Sequence, residues 1–456
     1  MQKLLIFIEE KAKLLGLSEA LRDAVKTLLT IRNPLFQRGL QLGLTNWGVP
    51  RQLEYFTETE SYLEVPVGAL NEVLLILTEH GIEIESDTIV DNRSTYELPE
   101  IFSNINFKAT LRGYQQEMLD ACLDKTVGVI QAKTGAGKTL FALSLILKKQ
   151  QSTLFLVNTI ELANQAIESF VKHTNIEKED VGFIGSGKFS LKPITVALHQ
   201  TMARLSDQQF EMLNDHVGMV IADEVHICPA KTYYNTMTRL KARYKWGISA
   251  TPKREDGLTR AIFFATGPLI HSVPEEKLGQ VLITPEVEFV QTDYSFPLFS
   301  TQDYQPMITD LSEDVERNQL ILDKVHEYPD NYSVLLCSRT SQVEALHKKL
   351  GNTSVMLTSA IPKKKRAEIM EQLQNKEKQI VISTYGLFST GIDLPHLDAL
   401  FLCAPMKSEI KLRQAAGRLM RQAEGKTKAI IIDFVDNNVG LLYNQARTRN
   451  RVLTTL

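Results

Sequence analysis

The sequence predicts an α/β protein: two tandem parallel-sheet lobes preceded by a small α+β module. Three observations lead there. Short runs that are apolar throughout, at 127–131, 152–157, 181–184, 195–197, 218–222 and 246–249, alternate with helical stretches. A second series repeats the pattern at 333–337, 354–357, 379–383, 399–402 and 428–433. Unbroken apolarity, without strict alternation, is what a strand needs when helices cover both faces of its sheet. Ahead of both series, a stretch punctuated by Pro, Gly and aromatic residues stands apart as a separate unit.

In chain order, residues 1–90 form the expected module. A strand-like 4–8 and a helical 21–29 lead into Asn33-Pro34, Trp47-Gly48-Val49-Pro50 and Val65-Pro66-Val67-Gly68, and a helical 69–78 follows. The polar residues 91–106 are expected to be a linker, 107–300 the first lobe and 301–456 the second, with a helix at 362–373 between its second and third strands. A chain of 456 residues has room for several full cores. Its formal charge of -3 gives no global attraction to nucleic acid, so any polyanion site has to be a local patch. The cysteines at 122, 228, 337 and 403 lie in or beside apolar runs, which favours free core thiols over disulfides or a metal site. No run of 18 apolar residues occurs, and the apolar start is cut off by Glu9-Glu10. No membrane partner is therefore expected, and the location expected is intracellular and cytoplasmic.

The sharpest chemistry lies in Val129-Ile-Gln-Ala132-Lys-Thr134-Gly135-Ala136-Gly137-Lys138-Thr139-Leu, an apolar strand that turns through glycines into an apolar helix. Such a turn aims backbone N–H groups at a phosphate, and the helix N-terminus adds partial positive charge. Lys138 can then reach the β- and γ-phosphates of ATP, and Thr139 can hold Mg²⁺. The usual first glycine of this loop is Ala132 here. A second string, Gly185-Ser-Gly187-Lys188, has no hydroxyl after its lysine and no apolar helix, and is expected to be a hairpin or loop.

The strand at 218–222 runs straight into Asp223-Glu224-Val225-His226. Carboxylates at the C-terminal end of a buried parallel strand sit where open α/β sheets bind ligands. Asp223 suits a Mg²⁺ role, and Glu224 can orient or deprotonate a water for attack on the γ-phosphate. His226 is open between a structural and a catalytic role.

Asp-Glu-x-His joined to this loop resembles the superfamily 2 helicases and translocases, and further motifs follow in that family's order. Leu111-Arg-Gly-Tyr-Gln115 resembles the adenine-recognition element, Val157-Asn-Thr159-Ile-Glu-Leu-Ala-Asn-Gln165 motif Ia and Ala197-Leu-His-Gln-Thr201 motif Ic. Ser249-Ala-Thr251-Pro resembles motif III, Ser383-Thr384-Tyr-Gly-Leu-Phe-Ser-Thr390-Gly391-Ile-Asp393 motif V, and Gln414-Ala-Ala-Gly417-Arg418-Leu-Met-Arg421 motif VI. The last two are similar to the branch that includes the XPB-like, RadD-like and phage UvsW-like DNA enzymes. The resemblance implies RecA-like lobes, ATP and Mg²⁺, with Gln115 reading the base and Gly391 and Asp393 lining the second lobe's nucleotide face. It also implies Gln414 near the γ-phosphate or attacking water, and Arg418 and Arg421 reaching the γ-phosphate. The alternative for Arg418 and Arg421 is a solvated helix edge, since a spacing of three would put both on one side of a helix.

The same resemblance places Thr159, Thr201, Ser338, Arg339 and Thr384 at the nucleic-acid strand, although the threonines could equally cap helices. The run Lys363-Lys-Lys-Arg366 favours a solvated helix start over a backbone-binding patch. Tyr385 and Phe388 either pack or separate strands. Arg254 either couples the ATP lobe to DNA or forms a buried ion pair. The function expected is an ATP-dependent DNA helicase or translocase, a monomeric motor on forked, branched or single-stranded DNA. An RNA helicase and a non-motor subunit of a restriction or repair complex are the alternatives. Residues 1–90 are expected either to engage branched or duplex DNA or only to stabilise the first lobe.

Overall fold

The computed structural model describes residues 4–43, 45–85, 87–133, 135–226, 230–251, 254, 256–278, 282–297, 303–391 and 394–456. They fall into two compact units, Met1–Lys133 with Gly137–Val273, and Thr134–Ala136 with Pro274–Leu456.

The first unit begins with a five-stranded sheet in the order Thr57–Glu58, Tyr62–Pro66, Lys11–Leu15, Leu5–Ile8, Ile89–Asp91. Its strands alternate, so Ile6, Ile8, Ala12, Leu14, Leu63 and Val65 form one apolar face. The helices Glu19–Leu28 and Leu70–Glu79 contribute Leu21, Val25, Val73 and Leu77 to the same core. That core also includes Phe264, and the Gly68 backbone lies against Phe263, Phe264 and Gly267 with no room for a Cβ. The module and the first lobe therefore share packing. A separate small hairpin, Thr30–Arg32 with Gln52–Glu54, carries the helix Pro34–Gln41 between its strands. Residues of the expected linker pair with the first lobe through the bridges Ser94↔Ala242 and Glu97↔Gln151.

The first lobe is an eight-stranded sheet ordered Lys188–Ser190, Val181–Gly185, Ile194–Leu198, Thr153–Val157, Met219–Asp223, Tyr244–Ser249, Val127–Gln131, Leu269–Ser272. Every pair is parallel except the hairpin of the first two. Its turn is the second glycine-lysine string: Gly185 pairs with Lys188, and Ser186 (φ 49°) and Gly187 (φ 80°) both take the left-handed conformation a tight hairpin needs.

The second unit holds a six-stranded, all-parallel sheet ordered Glu286–Thr292, Ile430–Asp436, Ala399–Leu402, Ser333–Cys337, Ile380–Thr384, Ser354–Leu357. Tyr385 and Phe388 pack into its core, and the Tyr385 hydroxyl donates to the Ala404 carbonyl at 2.5 Å. Of the two readings of these aromatics, packing is the one observed. Cys122, Cys337 and Cys403 are free and buried, while Cys228 lies outside the described residues. Among the described residues no helix is long and apolar enough to cross a membrane.

Candidate functional site

Parallel pairing brings the ends of four strands of the first lobe level with one another. Gln131 is opposite Ser249, Asp223 opposite Ile248, and Ala222 opposite Leu156. The loops that follow, at 132–137, 250–251, 224–226 and 158–159, therefore share one sheet edge, the edge where such sheets take ligands.

The first of these loops needs left-handed backbone at two glycines, Gly135 (φ +91°) and Gly137 (φ +74°), before the helix Lys138–Lys149 starts. Ala132 does not: its N–H donates to the Ser249 carbonyl at 2.9 Å, its methyl is buried, and its φ is not positive. A glycine is therefore dispensable there. Ala136 is buried behind the turn, and Thr139 is half-buried in the first helical turn. Thr134 lies outside the described residues. Gln115 is buried; its Oε1 accepts from the Arg112 N–H at 2.9 Å and its Nε2 donates to the Gly137 carbonyl at 3.4 Å, tying its own helix to the loop.

Lys138 forms a buried ion pair with Glu224. Glu224 sits at φ +50°, left-handed backbone that costs a residue with a side chain about 1–3 kcal/mol. Its N–H donates to Asp223 Oδ1 at 3.0 Å. Burial pushes the Glu224 carboxyl up, but Lys138 and His226 outweigh it and the net direction is down. The surrounding protein pushes Asp223 the other way, to about 6, with Glu224 adding to the rise and Lys138 opposing it.

Burial lowers His226 to about 4, so it is neutral near pH 7. Its Nδ1 is 2.6 Å from Ser249 Oγ, which in turn accepts from the Thr251 N–H at 3.2 Å. Asn158 Nδ2 donates to the Glu224 carbonyl at 3.4 Å. Ser249 and Asn158 are thus part of the edge although sequence reasoning gave neither a role of its own; their only signal was membership of a motif. Arg254 makes an ion pair that is buried only on its own side: its Nη2 and Nε meet the exposed Asp256 at 2.6 and 2.9 Å, and its Nη1 donates to the His226 carbonyl at 2.9 Å.

Thr159 caps the helix Ile160–His173, its hydroxyl oxygen accepting from the Leu162 N–H at 3.2 Å. Thr201 is half-buried in the short helix His199–Met202. In the second unit, Cys337 lies opposite Thr384, so Ser338, Arg339 and Thr384 line one cavity of about 240 Å³ with Tyr304, Gln305 and Gly386. Gln305 Oε1 accepts from Arg339 Nη2 at 2.6 Å; neither Tyr304 nor Gln305 carried a sequence signal. Gln414 is buried on the helix Glu409–Leu419, with Arg418 one turn on. Arg418 donates to the Phe388 carbonyl, with its guanidinium 5.5 Å from the Phe388 ring centre. The two arginines do not share a helix edge, as the alternative reading had it: the helix ends at Leu419, Met420 caps it, and Arg421 instead bridges to Leu282. Lys426 Nζ donates to the carbonyls of Leu419 and Arg421, satisfying acceptors that a longer helix would have used. Gly391 ends the helix Tyr385–Gly391, and Asp393 lies outside the described residues. Lys363 opens the helix Lys363–Gln374.

Residues 108–254 match the family described as Type III restriction enzyme, res subunit, and 316–423 match the helicase conserved C-terminal domain. A DNA 3'-5' translocase XPB2 from Sulfurisphaera tokodaii is 25% identical over 399 residues, covering 78% of this chain and 87% of that protein. The two domain matches together mark a helicase of superfamily 2, similar to the XPB-like enzymes. This helicase is also similar to the putative ATP-dependent RNA helicase L396 of Acanthamoeba polyphaga mimivirus, at 28% identity over 388 residues, 81% of this chain and 72% of that protein. In fold it is similar to S. cerevisiae Dbp5 bound to RNA and ADP BeF3, with a TM-score of 0.55 at 14% identity over 75% of this chain and 88% of that one. The two RecA-like sheets and the two helicase domains make it an ATP-dependent helicase.

Proposed function

We propose that this helicase is a DNA motor that works as a monomer on forked or branched DNA, in recombination, repair or replication. The observation that carries the reading is the N-terminal module, a folded sheet built onto the first lobe through a shared core. A motor that only tracked a strand would need no such attachment, whereas one directed to a branch needs a second grip on the DNA. The name of the XPB2 relative, a DNA translocase, supports it. So does Asp-Glu-Val-His at 223–226 in place of Asp-Glu-Ala-Asp. A relative named an RNA helicase makes RNA the outcome to test against.

In this reading Lys138 and the N–H groups around Gly135 and Gly137 hold the phosphates of ATP, and Gln115 stands at the base. A phosphate competes with Glu224 for the Lys138 ammonium, and the carboxylate so released takes the proton of the attacking water. Asn158, through the Glu224 carbonyl, and the left-handed backbone fix where that carboxylate points. Mg²⁺ fits Asp223 and Thr139, since both offer hard oxygen donors and a cation would return the raised Asp223 carboxyl to its charged form. Bound there, it would draw charge from the phosphates. Gln414, Arg418 and Arg421 act on the transferring phosphoryl group, with Gly391 and Asp393 beside the nucleotide. Thr159, Thr201, Ser338, Arg339 and Thr384 contact sugar and phosphate, so binding is nearly independent of sequence and weakens with salt.

Steady-state ATPase with a four-way DNA junction, single-stranded DNA and duplex RNA as activators tests the reading. The junction should stimulate most and RNA least; strongest stimulation by RNA overturns it.

A further inference from the structure

The hairpin that carries the helix Pro34–Gln41 has a surface unlike the rest of the first unit. Trp47 is 96% exposed, and Leu35, Leu40 and Leu42 are 69%, 59% and 57% exposed. Residues 30–53 contain Arg32, Arg38 and Arg51 and no acidic residue, in a chain where acids outnumber bases. All three arginines are exposed, and none has an ion-pair partner among the described residues. Arg51 lies over the Phe36 ring at 5.8 Å. Exposed apolar groups on one small hairpin mark an interaction surface, and the charge says which kind: three exposed arginines without an acid, on the same hairpin as an exposed indole, fit a polyanion with exposed bases.

The turn bearing Trp47 is braced on both sides. Asn46 Nδ2 donates to the Phe36 carbonyl at 3.0 Å, and Gly39 lets Asn46 lie on the helix where a Cβ would collide. Asn33 is buried; its Nδ2 donates to the Pro50 carbonyl at 2.8 Å and its Oδ1 accepts from the Leu35 N–H at 3.0 Å. The backbone on either side of Trp47 is thus braced, so the indole projects from a fixed turn. The hairpin is also seated on the loop after motif III: a Cβ on Gly257 would stand 3.1 Å from Pro34 Cγ. That loop's Arg254 is the side chain bonded to the His226 carbonyl. Tyr55, next to the hairpin's last strand, packs edge-on to Tyr234 at 4.9 Å.

We propose that this hairpin is a branch-reading arm: Trp47 stacks on an unpaired base at a DNA branch, while Arg32, Arg38 and Arg51 hold the flanking phosphates. The assignment rests on the DNA reading given above and names the residues that make it specific for branches. Stacking recognises any base face, so the arm selects structure and not sequence.

The test uses the full chain and a mobile four-way junction with 2-aminopurine at the crossover, alongside oligo-dT of equal length. Wild type should prefer the junction and change the 2-aminopurine emission by stacking. Trp47→Ala should lower junction affinity about tenfold or more, by the loss of one base stack, abolish the emission change and leave oligo-dT affinity within about twofold. Trp47→Phe should restore most of both. Replacing Arg32, Arg38 and Arg51 together with Ala should flatten the salt dependence by up to about three ion equivalents. Junction preference and emission change that survive Trp47→Ala overturn the arm and leave the DNA reading standing. A wild type that shows no junction preference overturns both. Wild type that self-associates in sedimentation, and becomes monomeric with unchanged junction affinity on Trp47→Ala, makes the patch a contact between copies and also overturns the arm.

Discussion

The strand-end edge of the first lobe and the hairpin at residues 30–54 handle polar groups in opposite ways. At the edge, Lys138, Glu224, His226, Ser249 and Gln115 are buried and engaged with one another or with backbone, and Glu224 accepts a strained φ to stay there. On the hairpin, the arginines and Trp47 face water, and the buried polar group, Asn33, serves only to brace the turn. With the hairpin read as proposed, the contrast separates polar groups that engage one another from polar groups left open to a partner. Variants at the first should change chemistry and stability; variants at the second should change binding alone.

The largest effect expected is on turnover. Glu224→Gln should lower kcat of the stimulated ATPase about 10²–10⁴-fold with KM little changed, as expected for losing a general base. Lys138→Ala should worsen both constants, because its charge serves ground and transition states alike. Full turnover in purified Glu224→Gln would remove the edge from the chemistry.

Next is a pH effect on stability. Burial lowers the fully enclosed His199 from 6.5 to about 4. The unfolded chain takes up that proton near 6.5 and the folded one resists it down to about 4. Stability should therefore fall as pH drops through this window, by up to about 3 kcal/mol, and be unaffected by this group above it. His199→Phe should flatten the acid limb of a melting-temperature profile; a limb of unchanged slope would assign the loss to other groups.

A smaller loss is expected at the seam between module and first lobe. Gly68→Val forces a side chain against the Phe263 and Phe264 carbonyls and should cost about 1–3 kcal/mol of overpacking, read by denaturant midpoint. An unchanged midpoint would mean the module is not packed there. The smallest effect should come from Trp47→Ala: an exposed side chain outside the core should move stability by no more than about 0.5 kcal/mol. A larger loss would make Trp47 structural and dissolve the contrast.

How much could be read beforehand follows from the range of the interactions involved. Strands such as Ser333–Cys337 and Ala399–Leu402 are apolar on both faces, so pattern alone placed them. The last strand runs on to Asp436 because Asp433 and Asp436 are buried against Arg449 and Arg317, 16 and 119 residues away; apolarity stopped at the first carboxylate. The edge strand Glu286–Thr292 pairs on one side only and carries Glu286, Glu288 and Gln291 among its apolar residues, so it gave no continuous run. At the site, the glycine turn and Asp223-Glu224 were legible because strand, turn and helix fix them locally. The end of the motif VI helix was not, since it depends on where Lys426 sends its ammonium. Arg254 was undecided until Asp256 lay within reach. Trp47-Gly48-Val49-Pro50 served in the sequence only to mark the module, and only exposure distinguished its indole.

The central claim is that ATP hydrolysis at the edge drives movement on branched DNA. The most direct measurement follows a labelled mobile four-way junction with ATP and Mg²⁺ present, alongside a DNA fork and a matched RNA duplex. ATP-dependent conversion of the junction to duplex products is expected, lost in Glu224→Gln, with little unwinding of the RNA. Unwinding of the RNA duplex with no product from the junction or the fork would contradict that claim.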